Sequence, residues 1–150
     1  MSGFLIIPFW RTGTDQTGAI QYRTQLYLTP LSQGPVDLAI YLYENGGKPW
    51  SNRTFVFEID QSVAEVTTNP DGAFVIKVGP GQTLRIEINQ NEQEYGTGEV
   101  HFVGGAEAQI PLLARGDLEF FGAEAGGGFE LSTSEITITG AEPTILQREG

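Results

Sequence analysis

The stretch that decides the fold runs from Gln25 to Asp60 and reads QLYLTPLSQGPVDLAIYLYENGGKPWSNRTFVFEID. Apolar and polar residues alternate within it in three runs, at residues 26–28, 36–43 and 55–59. Because successive side chains of a strand point to opposite faces, this period of two predicts three strands that each bury one face. The segment Glu44–Lys48 (ENGGK) separates the last two runs, and its Asn and Gly residues suit a tight turn. The stretch therefore predicts a three-stranded meander.

Short apolar runs between turn-forming residues continue through the rest of the chain. The 150 residues include 20 glycines and 8 prolines, and 39% of them are hydrophobic, which is enough for a buried core. No segment has a helical period, and roughly nine or ten strands are indicated. We predict an all-β fold, an antiparallel β-sandwich of immunoglobulin-like or jelly-roll-like type. One domain is expected over residues 1–150, with the segments 1–19 and 140–150 as candidate arms.

The first apolar run is Phe4–Trp10, with the sequence FLIIPFW. It is short, no basic region precedes it and Pro8 interrupts it, which is typical of neither a signal peptide nor a membrane span. Its consecutive apolar residues predict a strand that is buried on both faces. The cellular compartment is left open.

Charge and cysteine content narrow the function classes. The formal net charge is −11, from 8 basic and 19 acidic residues. Binding to nucleic acid or to an anionic membrane surface requires basic groups, so neither partner is predicted. The chain has no cysteine, which excludes a disulfide framework, a thiolate nucleophile and a cysteine-ligated zinc site.

Catalytic residues are not predicted from the sequence. The one histidine, His101, lies in a strand pattern without a catalytic motif, and a surface position is expected. Glu58 and Asp60 share one face of a predicted strand, and Glu87 or Glu119 could lie opposite them, as the paired carboxylates of a hydrolase do. Because 19 acidic residues on a small domain produce such pairs by chance, an enzyme is not predicted.

Neither a metal-binding pattern nor a short motif predicts a function for this chain. No segment has the oxygen-ligand spacing of a calcium loop, so no metal site and no cofactor are predicted. Arg115–Asp117 forms the tripeptide RGD that integrin receptors recognise, but we interpret it as an ordinary turn between Leu113 and Leu118. Asn52–Thr54 is a glycosylation sequon.

Aromatic residues are the most informative candidates for function. Tyr27, Tyr41 and Tyr43 occupy the polar phase of the predicted meander, and Trp50 follows in the next loop. Such side chains fit ordinary cross-strand pairing, a stacking surface for sugars, or a protein interface, in which Tyr and Trp are enriched. Phe55–Phe57 and Phe74–Ile76 are apolar on both faces, so a second layer of cover from the chain ends or another subunit is expected.

The region Tyr22–Ile59 resembles the small bacterial β-sandwich proteins of the sensory rhodopsin transducer type. The resemblance lies in the strand Gln25–Thr29, a polar turn, a long strand that ends at Ile40–Tyr43, a Gly/Pro-containing turn and a further strand. It implies a non-enzymatic sandwich that assembles into a homo-oligomer and works by docking, and it carries over no functional residue. The composition is also similar to that of phage capsid decoration proteins.

These observations predict a non-enzymatic structural or accessory protein. Its expected partners are copies of itself and a larger protein assembly, such as a virion that it decorates. Tyr27, Tyr41, Tyr43 and Trp50 are the predicted contact surface. The alternative is a carbohydrate-binding module that uses the same aromatic residues, and a carboxylate-dependent hydrolase is a third hypothesis.

Overall fold

The computed structural model describes residues 4–15, 17–49, 55–90, 92–103, 112–122, 130–136 and 139–141. These residues form twelve strands, which in chain order are β1 (Phe4–Thr14), β2 (Ile20–Pro30), β3 (Val36–Glu44), β4 (Phe55–Ile59), β5 (Ser62–Val63), β6 (Thr67–Thr68), β7 (Phe74–Val78), β8 (Leu84–Ile88), β9 (Glu94–Phe102), β10 (Leu112–Gly122), β11 (Glu130–Ile136) and β12 (Thr139–Ala141). The ladders between them are antiparallel, so the all-β antiparallel prediction is confirmed. Three strands, β5, β6 and β12, have only two or three residues, too few for a period to show in the sequence.

The strands form two facing layers that β1 joins. The front sheet has the order β12-β1-β9-β3-β7-β6, and the back sheet has the order β11-β10-β2-β8-β4-β5. The end of β1 leaves the front sheet and pairs with β2 through Gly13 and Thr14. Strands β1 to β4 and β7 to β9 alternate between the two sheets, and β1-β9-β3-β7 faces β2-β8-β4-β5. This strand order is that of a jelly roll.

The predicted meander is wrong. Strands β2, β3 and β4 do not pair with one another, because β3 lies in the front sheet while β2 and β4 flank β8 in the back sheet. The turn at Glu44–Lys48 does form, with the amide of Gly47 donating to the carbonyl of Glu44 at 2.9 Å. Beyond it, β4 belongs to the opposite sheet. Alternation in the sequence specifies which face of a strand is buried, and it leaves the neighbouring strand open.

One hydrophobic core fills the space between the sheets. Its largest fully buried side chains come from β1, β2, β3, β7 and β8, and they are Ile7, Trp10, Leu26, Leu28, Leu38, Ile40, Leu42, Ile76, Val78, Leu84, Ile86 and Ile88. The two sheets are linked at one side by the pairing of β1 with β2. At the other side, Phe57 of β4 and Phe74 of β7 pack across the core with ring centroids 5.6 Å apart. Full burial of each large apolar side chain contributes about 1.5–3 kcal/mol.

Strand β1 is buried on one face, so the prediction of two buried faces is wrong. Ile7 and Trp10 are fully buried, whereas Ile6 is 36% exposed and Pro8 is also exposed. The reason is that β1 lies within the front sheet, between β12 and β9, and only one side of that sheet contacts the core. The candidate arm 1–19 thus contains a strand of the sandwich, and residues 142–150 lie outside the described residues.

Candidate functional site

The four predicted contact residues do not form one surface. Tyr41 and Tyr43 lie on β3 and point away from the core on the outer side of the front sheet, here called the front face. Tyr27 lies on β2 and points outward from the back sheet, on the back face. The two faces are on opposite sides of the molecule because both sheets turn their other side to the same core. Trp50 lies outside the described residues.

An aromatic cluster occupies the centre of the front face. The rings of Tyr41 and Tyr43 are nearly parallel, at 8°, with centroids 6.2 Å apart. His101 of β9 meets Tyr41 edge-on at 5.4 Å, and its Nε2 lies 2.8 Å from Oε1 of Glu99. Burial, together with the nearby Glu99 and Tyr41, raises the pKa of the Tyr43 hydroxyl. The Tyr43 hydroxyl therefore stays protonated, and its ring neutral, at pH 7.

Aliphatic side chains continue this cluster across the front sheet. Ile6 of β1 is paired in register with Glu99, and Val75 of β7 is paired with Ala39 of β3. Val75 belongs to the segment whose second apolar face was predicted to need cover, and it is half-buried here. The corresponding residue of β4, Val56, is 37% exposed on the back face. Both faces thus carry partly exposed apolar side chains, and on the front face Ile6 and Val75 lie one strand away from the residues of the aromatic cluster.

A groove of about 260 Å³ crosses the end of the front face. Its walls are the β1 residues Pro8 and Phe9 and the turn Glu44–Gly47, and its floor is Tyr95–Thr97 of β9. The pairing of β1 with β9 shifts register between Ile7 and Trp10, so Pro8 and Phe9 lie in the irregular part of the ladder.

Aromatic and polar groups meet within this groove. The rings of Phe9 and Tyr95 are 6.3 Å apart and tilted by 34°. The side-chain amide of Asn45 donates to the hydroxyl of Tyr95 at 2.9 Å. Sequence reasoning missed these residues, because Tyr95 follows a polar loop and Phe9 was assigned to a strand buried on both faces.

Ion pairs dominate the back face. Arg85 of β8 is the centre of the network, and it donates to Glu58 at 2.6 Å, to Glu87 at 2.9 Å and to the side-chain oxygen of Gln25 at 2.8 Å. The hydrogen bond to Glu58, and after it the hydrogen bond to Glu87, raises the pKa of Arg85. Burial raises the pKa of Glu87, but hydrogen bonds from Arg85 and Gln25 outweigh burial and leave that pKa lowered.

Gln25 extends the network to β10. Its amide donates to Glu87 at 3.1 Å and to Glu119 at 3.3 Å, and Glu119 also pairs with Arg23 at 2.6 Å. Gln25 is buried although it points outward, because these long side chains cover it. Two arginines and one amide thus bind the three carboxylates of Glu58, Glu87 and Glu119.

The structure brings together three of the four carboxylates considered for hydrolysis. Glu58, Glu87 and Glu119 belong to the back-face network, whereas Asp60 lies in the β4–β5 turn and accepts a hydrogen bond from Gln82 at 2.9 Å. A general acid requires a raised carboxyl pKa. Within the described residues, the carboxyl pKa values that clearly depart from the ordinary value, at Asp15 and Glu87, are lowered.

The predicted RGD turn is wrong. Arg115–Asp117 lies inside β10, where all three residues pair with β2, and Gly116 and Asp117 also pair with β11. Gly116 is buried and faces Leu26 and Ile136 at short range, and Asp117 is buried as well. A strand between two neighbours cannot present the tripeptide as an exposed loop. The sequon Asn52–Thr54 lies outside the described residues.

Comparison with known proteins assigns no family to this chain. No protein-family model, curated protein or solved structure matches the chain. In the part of the chain that the structure describes, no group of three or more His, Asp or Glu side chains could hold a metal ion, and no helix is long and apolar enough to cross a membrane. A jelly roll hosts many functions, so the features of this chain that bear on function are its two faces and the groove.

Proposed function

We propose that this chain is a non-enzymatic structural or accessory protein that assembles with copies of itself through the front face. The observation that carries the proposal is the aromatic cluster around Tyr41 and Tyr43, which lies outside the core and continues into Ile6 and Val75. Tyrosine is enriched at protein interfaces and among the residues that contribute most binding energy. A larger assembly, such as a capsid, is the proposed setting.

Charge supports the choice of this face for self-association. Two copies that each carry a net charge of −11 repel one another, so they approach at least cost through a surface with little net charge. On the front face, Lys77 pairs with Asp37 at 3.2 Å, and the His101 ring is hydrogen-bonded to the carboxylate of Glu99 at 2.8 Å. These contacts lie within one copy, which leaves the aromatic rings for the contact between copies.

The test is the native mass of the protein, measured by light scattering over a concentration series. The wild type should be a stable oligomer, and replacing both Tyr41 and Tyr43 with serine should weaken assembly at least about tenfold, which is about 1.4 kcal/mol. The matched control is Tyr27→Ser on the back face, which should leave the mass unchanged. A monomeric wild type, or a double variant that keeps its mass, would refute the proposal.

Carbohydrate binding is the second candidate function. The groove favours it, because Phe9 and Tyr95 supply aromatic surface while Asn45 and Thr97 supply polar groups.

A further inference from the structure

The groove at the end of the front face has the composition of a small binding site. Ligand sites combine aromatic or apolar walls with a few placed polar groups. Here the apolar part is Pro8, Phe9 and Tyr95, and the polar part is the turn from Glu44 together with Thr97. The volume of about 260 Å³ is below the range of about 300–1,000 Å³ for drug-sized ligands, which suits a single sugar ring.

We infer that this groove binds one neutral pyranose ring of a carbohydrate, with the ring stacked on Phe9 and Tyr95. The inference rests on the second candidate function, for which it names the ligand class and the binding residues, and it is separate from self-assembly through Tyr41 and Tyr43. A pyranose has one face of C–H groups and a rim of hydroxyl groups. The C–H face matches the negative face of an aromatic ring, and the hydroxyl groups match amides and hydroxyls.

The spacing of the two rings distinguishes a stacked sugar from a caged cation. A group held between two aromatic faces needs two van der Waals separations, about 7–8 Å between the rings. The centroids of Phe9 and Tyr95 are 6.3 Å apart, so nothing fits between them. Phe9 and Tyr95 both line the groove with Pro8, so a sugar ring would lie against this apolar side and not between the two rings.

The polar groups of the groove are held in place before a ligand arrives. Asn45 is fixed to Tyr95 twice, by its side-chain amide at 2.9 Å and by its backbone amide, which donates to the carbonyl of Tyr95 at 2.9 Å. A primary amide has two N–H donors and one acceptor, so Asn45 has further hydrogen-bonding capacity for sugar hydroxyls. Preorganisation of this kind lowers the entropic cost of binding.

Electrostatics disfavour an anionic ligand. Glu44 lines the groove and the whole chain carries a charge of −11, so a phosphate or carboxylate would be repelled. A neutral sugar avoids this cost, and a carboxylate such as that of Glu44 can accept a hydrogen bond from a sugar hydroxyl.

The experiment is saturation-transfer NMR on the full chain with four probes at millimolar concentration: the methyl glycosides of glucose, galactose, mannose and N-acetylglucosamine. At least one probe should bind, and Tyr95→Ala should weaken that binding at least about tenfold. Asn45→Ala, a change in an exposed turn, should weaken it as well and serves if Tyr95→Ala does not fold. Tyr27→Ala on the back face is the matched control and should bind like the wild type.

Three outcomes would overturn the inference. They are saturation transfer to none of the four probes, unchanged binding in Tyr95→Ala or Asn45→Ala, and binding of tetramethylammonium in place of the sugars. The native mass of Asn45→Ala separates this test from that of self-assembly. Lost sugar binding with unchanged mass supports the groove whether or not the front face assembles.

Discussion

The front and back faces of the sandwich place tyrosines in opposite surroundings. On the back face, Tyr27 is paired in register with Arg85 on one side and Arg115 on the other. On the front face, Tyr41 has Tyr43 as its parallel neighbour and His101 at its edge. The same residue type, on the same phase of the sequence pattern, thus lies among cations on one face and among rings on the other.

The difference shows that the polar side chains of one face can be hydrogen-bonded to one another while the other face keeps aromatic rings in contact with solvent. The back-face side chains satisfy one another through hydrogen bonds from Arg85, Gln25 and Arg23, which lowers the gain from any further contact. The front-face rings gain from further burial because apolar area removed from water is stabilising. This contrast is the reason for proposing the front face as the contact with a partner.

The largest loss of stability is expected for a substitution in β9 at the point where it lies against the backbone of β3. Gly96 is buried, and a Cβ atom there would overlap the backbone carbonyl of Tyr43; a Cβ at Gly98 would lie 2.7 Å from the carbonyl oxygen of Tyr41. Backbone cannot move aside as a side-chain end can. Gly96→Ala should therefore lower the free energy of unfolding by about 3 kcal/mol or more, measured by urea denaturation.

Gly34→Ala is the matched control for Gly96→Ala. A Cβ at Gly34 would have no heavy atom within 4 Å, so its effect should stay within about 0.5 kcal/mol. If the two alanine variants had equal stability, β3 and β9 would not approach as closely as the front face requires.

A smaller effect is expected for the centre of the back face. Arg85→Met removes the partner of both Glu58 and Glu87, whose carboxylates then lie together in a partly buried place. Because Arg85 is 28% exposed, the loss should be about 2 kcal/mol, below the 3–5 kcal/mol of a fully buried pair. Urea denaturation of the purified variant measures it.

Arg115→Met provides the comparison on the other side of Tyr27. Arg115 is 63% exposed and makes one hydrogen bond at 3.2 Å, to the buried Asp117, so its loss should cost about 1 kcal/mol, less than the loss of Arg85 with its two carboxylates. A larger loss for Arg115→Met than for Arg85→Met would contradict a network centred on Arg85.

The fold class could be predicted from the sequence, but the strand order could not. The alternation Leu38, Ile40, Leu42 specifies which side of β3 contacts the core, and all three are buried. Its neighbours β9 and β7 begin about 30 or more residues later, and a period of two contains no information about such distant partners. The predictions of a meander and of a single tyrosine surface were wrong for this reason.

The groove was missed because an irregular ladder creates it. Phe9 belongs to an apolar run, and only the register shift between Ile7 and Trp10 makes its position differ from that of a regular strand. Pro8 was the available signal, since proline has no N–H for a ladder and is confined to edges and bulges. The contact of Asn45 with Tyr95 joins residues 50 positions apart, which no local pattern predicts.

The smallest effect is expected in the pH dependence of stability that Glu87 of the back-face network causes. Since hydrogen bonds lower the pKa of Glu87 in the folded state below its ordinary value of 4.5, the folded state binds that proton less tightly than the unfolded state. The contribution of Glu87 is therefore complete above about pH 4.5 and is lost as the pH falls through the lowered pKa. Between about pH 6 and about pH 3, the wild type should lose up to about 1 kcal/mol more than Glu87→Gln in urea denaturation. Glu65→Gln removes the same charge at an exposed position and should follow the wild type. An equal acid loss in wild type and Glu87→Gln would mean that the arginine and amide contacts of Glu87 hold its side chain in place without favouring its charge.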